Sequence, residues 1–418
     1  MITALLMALM MINFADKAVL GLAATNIRAE FGISAEQYGT IASAFFLLFS
    51  ISALVVGHLA DRFSTRKVLF ALSLVWSLSM LPVIGSAGFV VILASRIVLG
   101  AAEGPAFGVA QHALHKWFVD TERGVPTALL TIATSVGIIL AAPGLSWMII
   151  HHGWRSAFIL MTVLGLVWSA LWFLIGRDGP VGDRKDGRGQ HAIREIDGVH
   201  VPLWRILVSR TWLGCALSSF AAYWSVALLI SWLPPFLTDG LGYSKATTGT
   251  LTTLPWIVSS TILLIQGLVT QRLMRKGVSS RWARGVLGGA VVVASGVCTL
   301  AFVHTPDGAF KIVLIALGLG LSGAIFAGAT TVCGEIAPVG QRGAVLGAFV
   351  AVYSLAGVIA PYVAGIFVGQ AGSVPLSGYN TVFTITGFLV VTGGVLAMVL
   401  IHPERDVLGL VAAGTRTR

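Results

Sequence analysis

An apolar run fills residues 3–26, and eleven more follow at 37–60, 68–86, 88–116, 124–150, 154–176, 211–238, 244–271, 282–304, 309–337, 342–370 and 378–401. Each is close to or above the roughly 20 residues that a helix needs to cross a hydrocarbon core of about 30 Å. Lipid offers no partner to backbone N–H and C=O groups, so a crossing segment must be helical. The pattern predicts an all-α polytopic membrane protein with twelve transmembrane helices. Leu22-Ala23-Ala24 looks like a signal-peptide cleavage site. No Lys or Arg precedes the run, however, and Asp16-Lys17 interrupts it, so it reads as a span.

Polar positions cluster between the runs. The longest cluster starts at Arg177 and continues to about His200, rich in Gly, Asp and Arg. Such a composition buries little and reads as a linker. It divides the chain into a six-helix bundle at 1–176, a linker at 177–205, and a second six-helix bundle with a short tail at 206–418. The halves repeat each other. Gly57-His58-Leu59-Ala60-Asp61-Arg62 after the second run matches Gly267-Leu268-Val269-Thr270-Gln271-Arg272 after the eighth. Glu122-Arg123-Gly124 matches Gln341-Arg342-Gly343, and Glu103 to Phe107 faces Ser322 to Phe326 at the same offset. Duplicated six-helix halves are a transporter plan, with a binding site between them near mid-membrane.

Composition narrows the class. Of 418 residues 56% are hydrophobic and 11% charged, against about 25% charged in soluble domains. A soluble enzyme, a disordered chain and a disulfide scaffold are excluded. The net charge of +10 does not signal a nucleic-acid partner, because the basic residues are scattered through loops. With both termini cytoplasmic, twenty-one Lys and Arg fall on the inner side and four on the outer, as the positive-inside rule requires. The expected location is the cell membrane, the inner membrane of a bacterial cell. Trp117, Trp154, Trp204, Trp212 and Trp282 at span ends read as interfacial anchors. Cys215, Cys298 and Cys333 lie far apart without metal-ligand spacing. No metal site, cofactor or nucleophile–base constellation is expected, and the chain does not read as an enzyme.

Charges inside the runs carry the chemistry. An ionised side chain at the bilayer centre costs about 2.5–3.5 kcal/mol or more, so it faces a partner or a wet cavity. Asp16 and Lys17 sit mid-run and share a polar face with Asn13. Arg96 and Glu103 are seven residues apart, nearly two turns, and point the same way. Gly100 lies between them and leaves room on that face. Two readings stand: an ion-pair cluster that locks two helices together, or a binding and coupling site. Small residues would pack the helices more cheaply, which favours the second. The four charges sum to zero. An entering carboxylate leaves the site at −1, and protonating one acid restores neutrality, so anion and proton binding are linked reciprocally. Lys17 and Arg96 are the expected anion ligands, with Asn13, and Asp16 and Glu103 the expected proton carriers. Pro105 removes a hydrogen bond to Ala101 and should bend the helix beside the acid.

Gly57-His58-Leu59-Ala60-Asp61-Arg62-Phe63-Ser64-Thr65-Arg66-Lys67 resembles the loop 2–3 signature of the major facilitator superfamily, with Ser64 where glycine is usual. Asn13 to Lys17, Arg96 to Phe107 and Gly153-Trp154-Arg155 resemble its anion:cation symporter branch, with Lys17 where arginine is usual. The resemblance implies the major facilitator fold, two pseudo-symmetric six-helix bundles, and proton-coupled uptake of an organic anion by alternating access. It also implies a cytoplasmic gate, assigned to Asp61, Arg62 and Arg123. Phe49 stands where carriers of sugar acids tend to have tyrosine, which suggests a less hydroxylated carboxylate. In the second half Tyr223, Trp256, Tyr353 and Ser354 are the candidates to clasp the rest of the substrate. The expected partners are a small organic anion, protons and the lipid bilayer, with the protein a monomer. The alternative is a proton-coupled exporter of a drug or metabolite. The exporter pattern G-x3-G-P-x2-G-G is poorly met by Gly137 to Gly144.

Overall fold

The computed structural model describes residues 1–60, 63–85, 88–118, 122, 124–179, 199–372, 374–413 and 415–416. The first half supplies α1 (Ile2–Phe31), α2 (Ala35–Ala60), α3 (Thr65–Ser79), α4 (Leu81–Ile84), α5 (Phe89–Glu103), α6 (Ala106–His115), α7 (Gly124–His152) and α8 (Trp154–Ile175). Then come α9 (Leu203–Leu207), α10 (Arg210–Ser231), α11 (Leu233–Pro235), α12 (Lys245–Leu251), α13 (Leu254–Arg275), α14 (Leu287–His304), α15 (Ala309–Gly320), α16 (Ile325–Ile336), α17 (Arg342–Gln370), α18 (Pro375–Leu400) and α19 (Pro403–Ala413). Among the described residues, eleven helical stretches are long and apolar enough to span a bilayer. The 26-residue α2 completes the set of twelve. Val199–His200 and Thr415–Arg416 pair as two short antiparallel strands.

Several spans are broken where the sequence places proline or small residues. The fourth span bends at Gly104-Pro105 between α5 and α6. The tenth bends at the 3-10 turn Leu321–Ala324 between α15 and α16. These are the two sites matched by the internal repeat, so the duplication extends to backbone shape. The seventh span ends its regular helix at Ser231, before Trp232 and the prolines of α11.

By proximity the chain forms two compact units. The first comprises 1–189, 228–256 and 358–379; the second comprises 190–227, 257–357 and 380–418. In the first unit, close backbone approach sets the packing. A Cβ on Gly100 would collide with the Phe45 carbonyl oxygen, and one on Gly104 with that of Phe49. So α5 lies directly against α2. The room that Gly100 makes is therefore filled by a neighbouring backbone and is not left for a ligand, contrary to the expectation above. Gly153 turns the chain between α7 and α8 at φ 78°, a conformation glycine adopts freely. The two residues after it tie α8 to α1. Trp154 donates its indole N–H to Glu30 at 2.7 Å, and Arg155 grips the same carboxylate with two nitrogens at 2.9 and 2.6 Å.

The second unit packs around Trp212, Cys215, Val292, Cys333, Phe349 and Ile401. Of the tryptophans expected at interfaces, Trp204 and Trp282 are exposed, whereas Trp154 and Trp212 are buried. Their indole nitrogens are engaged within the protein, that of Trp212 by the Val345 carbonyl at 3.5 Å.

Candidate functional site

The first unit gathers the intramembrane charges. α1 contributes Asn13, Asp16 and Lys17, and α5 contributes Arg96 and Glu103; all five are at most 7% exposed. Their spacing puts the members from each helix on one face of that helix. The Lys17 ammonium pairs with the Glu103 carboxylate at 2.8 Å. It also donates to the Asn13 side-chain oxygen and, at 3.4 Å, to the Asn13 carbonyl. Its charge lies 4.3 Å from the centre of the Phe14 ring and 5.6 Å from that of Phe49. Cation–π attraction of this kind is strongest where water is excluded.

Asp16 and Arg96 are treated differently. Neither Asp16 oxygen has a hydrogen-bond partner among the described residues, and neither do Nε and Nη2 of Arg96. The Arg96 guanidinium lies 5.5 Å from the Phe158 ring centre. Both residues feel the charges of Lys17 and Glu103 or of each other without direct bonding. A buried charge left without partners costs several kcal/mol. The cluster thus holds one ion pair, in which neither Glu103 oxygen takes a hydrogen bond among the described residues, beside one acid and one base with no ion-pair partner there.

Lys17 and Arg96 line a cavity with Phe45, Phe46, Ile230 and Ser231. Its volume, about 20 Å³, holds about one water molecule and no organic anion. Segments far apart in sequence are bonded to one another within the first unit. Tyr38 donates to the Ser231 carbonyl at 2.7 Å, and Trp232 to the Pro361 carbonyl at 3.1 Å. Phe45, Phe46 and Phe49 form an aromatic pad, with Phe49 5.6 Å from Phe45 and 6.3 Å from Phe46. Trp256 meets Phe14 edge-to-face at 6.2 Å, which brings it to the Lys17 neighbourhood.

The other second-half candidates lie in the second unit. Tyr223 and Tyr353 stand 5.2 Å apart and share Phe326, at 6.1 and 5.3 Å. Ser354 is fully buried, and its hydroxyl donates to the Val350 and Ala351 carbonyls of its own helix at 2.7 and 3.1 Å. Asp61, Arg62 and Arg123, the expected gate, lie outside the described residues. Sequence reasoning missed Phe14, Phe45 and Phe158 beside the charges. Phe14 was accessible, since it lies three residues before Lys17 on the same helical face. Phe158 is 62 positions from Arg96 in sequence and leaves no local signal.

The described residues form membrane-spanning helices, with a cluster of buried charges in the first unit. The sequence profile of the Major Facilitator Superfamily matches residues 6–320 and, in a second alignment, 278–416. The chain belongs to that superfamily; it is a multi-pass membrane transporter and not an enzyme. It is 28% identical over 399 residues to the hexuronate transporter of Bacillus subtilis (strain 168), covering 94% of this chain and 92% of that one. It is 26% identical over 398 residues to the D-galactonate transporter of Escherichia coli O6:H1, covering 90% and 91%. Its fold is similar to that of a bacterial homologue of the human lysosomal transporter Spinster in an inward-facing, unoccupied conformation. The TM-score there is 0.78 at 16% identity, covering 98% of this chain and 97% of that one.

Proposed function

We propose that this chain is a proton-coupled symporter that takes up a small organic carboxylate by alternating access. The observation that carries the proposal is the asymmetry of the buried cluster: Lys17 holds Glu103 at 2.8 Å while Asp16 and Arg96 stand unbonded among the described residues. Arg96 presents an uncommitted guanidinium, whose parallel N–H groups suit a carboxylate. When the anion engages Arg96 and Lys17, Lys17 leaves Glu103. The released carboxylate then sits in low dielectric beside Asp16 and a bound anion, and a proton on either acid relieves the repulsion. Anion and proton therefore favour each other's binding, which is symport written as linkage. Transport of two protons per monovalent anion would carry charge inward and draw about 2.3 kcal/mol per 100 mV from the membrane potential.

The topology belongs to the same reading. The basic residues put both termini in the cytoplasm, with six-helix bundles at 1–176 and 206–418 joined by the 177–205 linker. Asp61, Arg62 and Arg123 serve as the cytoplasmic gate, and Tyr223, Trp256, Tyr353 and Ser354 as the opposite wall. The carrier works as a monomer. The names of the relatives favour a hydroxylated carboxylate over the less hydroxylated one that Phe49 suggests. The Phe45–Phe46–Phe49 pad can still cover an apolar flank of either. Uptake of labelled D-galactonate and benzoate into proteoliposomes, with an inward proton gradient imposed and removed, tests the proposal. Gradient-driven accumulation of either supports symport. Efflux driven by an inward gradient would support the exporter.

A further inference from the structure

A groove with apolar walls and a few polar side chains lies wholly within the second unit, with a volume of about 560 Å³, the size of small-molecule sites. One stripe of α13 builds a wall with Gln266, Gly267 and Gln271, and Arg275 ends it; Thr331 of α16 and Arg284 face them. A Cβ on Gly267 would meet nothing within 4 Å, so the wall there is open space.

Four observations say what the groove would accept. Gln266 is only 7% exposed, and its Oε1 takes no hydrogen bond among the described residues. Buried amide oxygens are nearly always satisfied, so this one calls for a donor. Arg284 is already committed: it pairs with Glu335 and donates to the Ser280 hydroxyl at 3.1 Å. Arg275 has no acidic partner among the described residues, and it leaves the groove with an excess positive charge. Thr331 spends its hydroxyl hydrogen on the Ala327 carbonyl at 2.8 Å, which leaves its oxygen able to accept. The groove therefore offers one free cation and two acceptors. A bare carboxylate would satisfy the first and neglect the others. An anion that also carries hydroxyl groups satisfies all three.

We propose that this groove is a second binding site for a small hydroxylated carboxylate, with Arg275 holding the carboxylate and Gln266 accepting a hydroxyl hydrogen. It uses none of the residues of the Lys17–Glu103 cluster. The choice of a carboxylate rests on the carrier reading above.

The test is equilibrium dialysis of labelled D-glucuronate against the purified full-length protein, with hexanoate as the six-carbon competitor that lacks hydroxyls. Wild-type, Gln266→Leu, Arg275→Gln and Lys17→Gln proteins are compared. The expected result is a component of glucuronate binding that survives Lys17→Gln, resists hexanoate, and weakens by about tenfold or more in Gln266→Leu and Arg275→Gln. Arg275 is exposed, so its variant guards against misfolding of the buried one. Wild-type affinity and number of sites in both variants would overturn the proposal. So would complete loss of binding in Lys17→Gln, equal displacement by hexanoate, or no glucuronate binding by wild type. The carrier reading fails separately, when wild-type proteoliposomes take up no carboxylate at all.

Discussion

The Lys17 ammonium lies 2.8 Å from a carboxylate oxygen of Glu103, with the two side chains 6% and 0% exposed. Helices α1 and α5 are thus joined by an ion pair that water does not screen, and an arriving anion must compete with Glu103 for Lys17. Removing one member of such a pair leaves the other charge buried and unanswered.

Neutralising the cations should therefore weaken anion binding at the buried cluster. Arg96→Gln and Lys17→Gln are each expected to weaken carboxylate binding by about 30-fold or more, the range of about 2–5 kcal/mol for buried charged partners. Competition binding on purified protein measures this. Wild-type affinity in Arg96→Gln would remove Arg96 from the site.

Neutralising the acid should separate exchange from accumulation. Glu103→Gln keeps Lys17 and Arg96 for the anion but cannot carry a proton. Counterflow of labelled for unlabelled anion is expected to persist in this variant, while accumulation against a gradient is lost. Loss of both would give Glu103 a purely structural part.

These residues were legible in the sequence because a charge within an apolar run is conspicuous on energetic grounds. The spans were legible for the same reason, and the break at Pro105 followed from local chemistry. What sequence could not supply was pairing at a distance. Glu103 finds Lys17 across 86 positions and leaves Asp16 and Arg96 unbonded, although all four looked equivalent along the chain. Gly100 read as space for a ligand, whereas it is space for the Phe45 carbonyl. Arg284 pairs with Glu335, 51 positions away. Neither contact has a periodic signature.

The Gly100 contact gives a packing prediction. Gly100→Val drives a branched side chain into the α2 backbone, which cannot move as a flexible side chain could. Overpacking of this kind costs about 1–3 kcal/mol, occasionally more. A lowered Tm and reduced yield of folded protein are expected by thermal unfolding in detergent. Gly108→Val is the control, since a Cβ there meets nothing within 4 Å.

Asp178 gives a pH-dependent prediction outside the spans. Burial pushes its carboxyl up, but hydroxyl hydrogen bonds from Ser64 and Thr65, with Lys116 nearby and the Arg66 amide at 3.2 Å, hold it below the usual aspartate value of 3.8. It caps the start of α3 from another segment, where helix amides otherwise lack partners. A depressed carboxyl stabilises the fold above its unfolded pKa and loses that contribution as pH falls through the folded one. Asp178→Asn should therefore lower Tm at pH 5 and above. The gap to wild type should close as pH falls below about 3.8. A gap independent of pH would contradict the capping role.

Proton movement accompanying the anion tests the central claim most directly. Proteoliposomes loaded with a pH-sensitive dye are given external D-galactonate, or whichever carboxylate the uptake assay selects, with no pH gradient imposed. The expected result is acidification of the lumen that tracks anion entry in wild type and is absent in Glu103→Gln. Anion entry with an unchanged lumen pH would contradict coupling through the buried cluster.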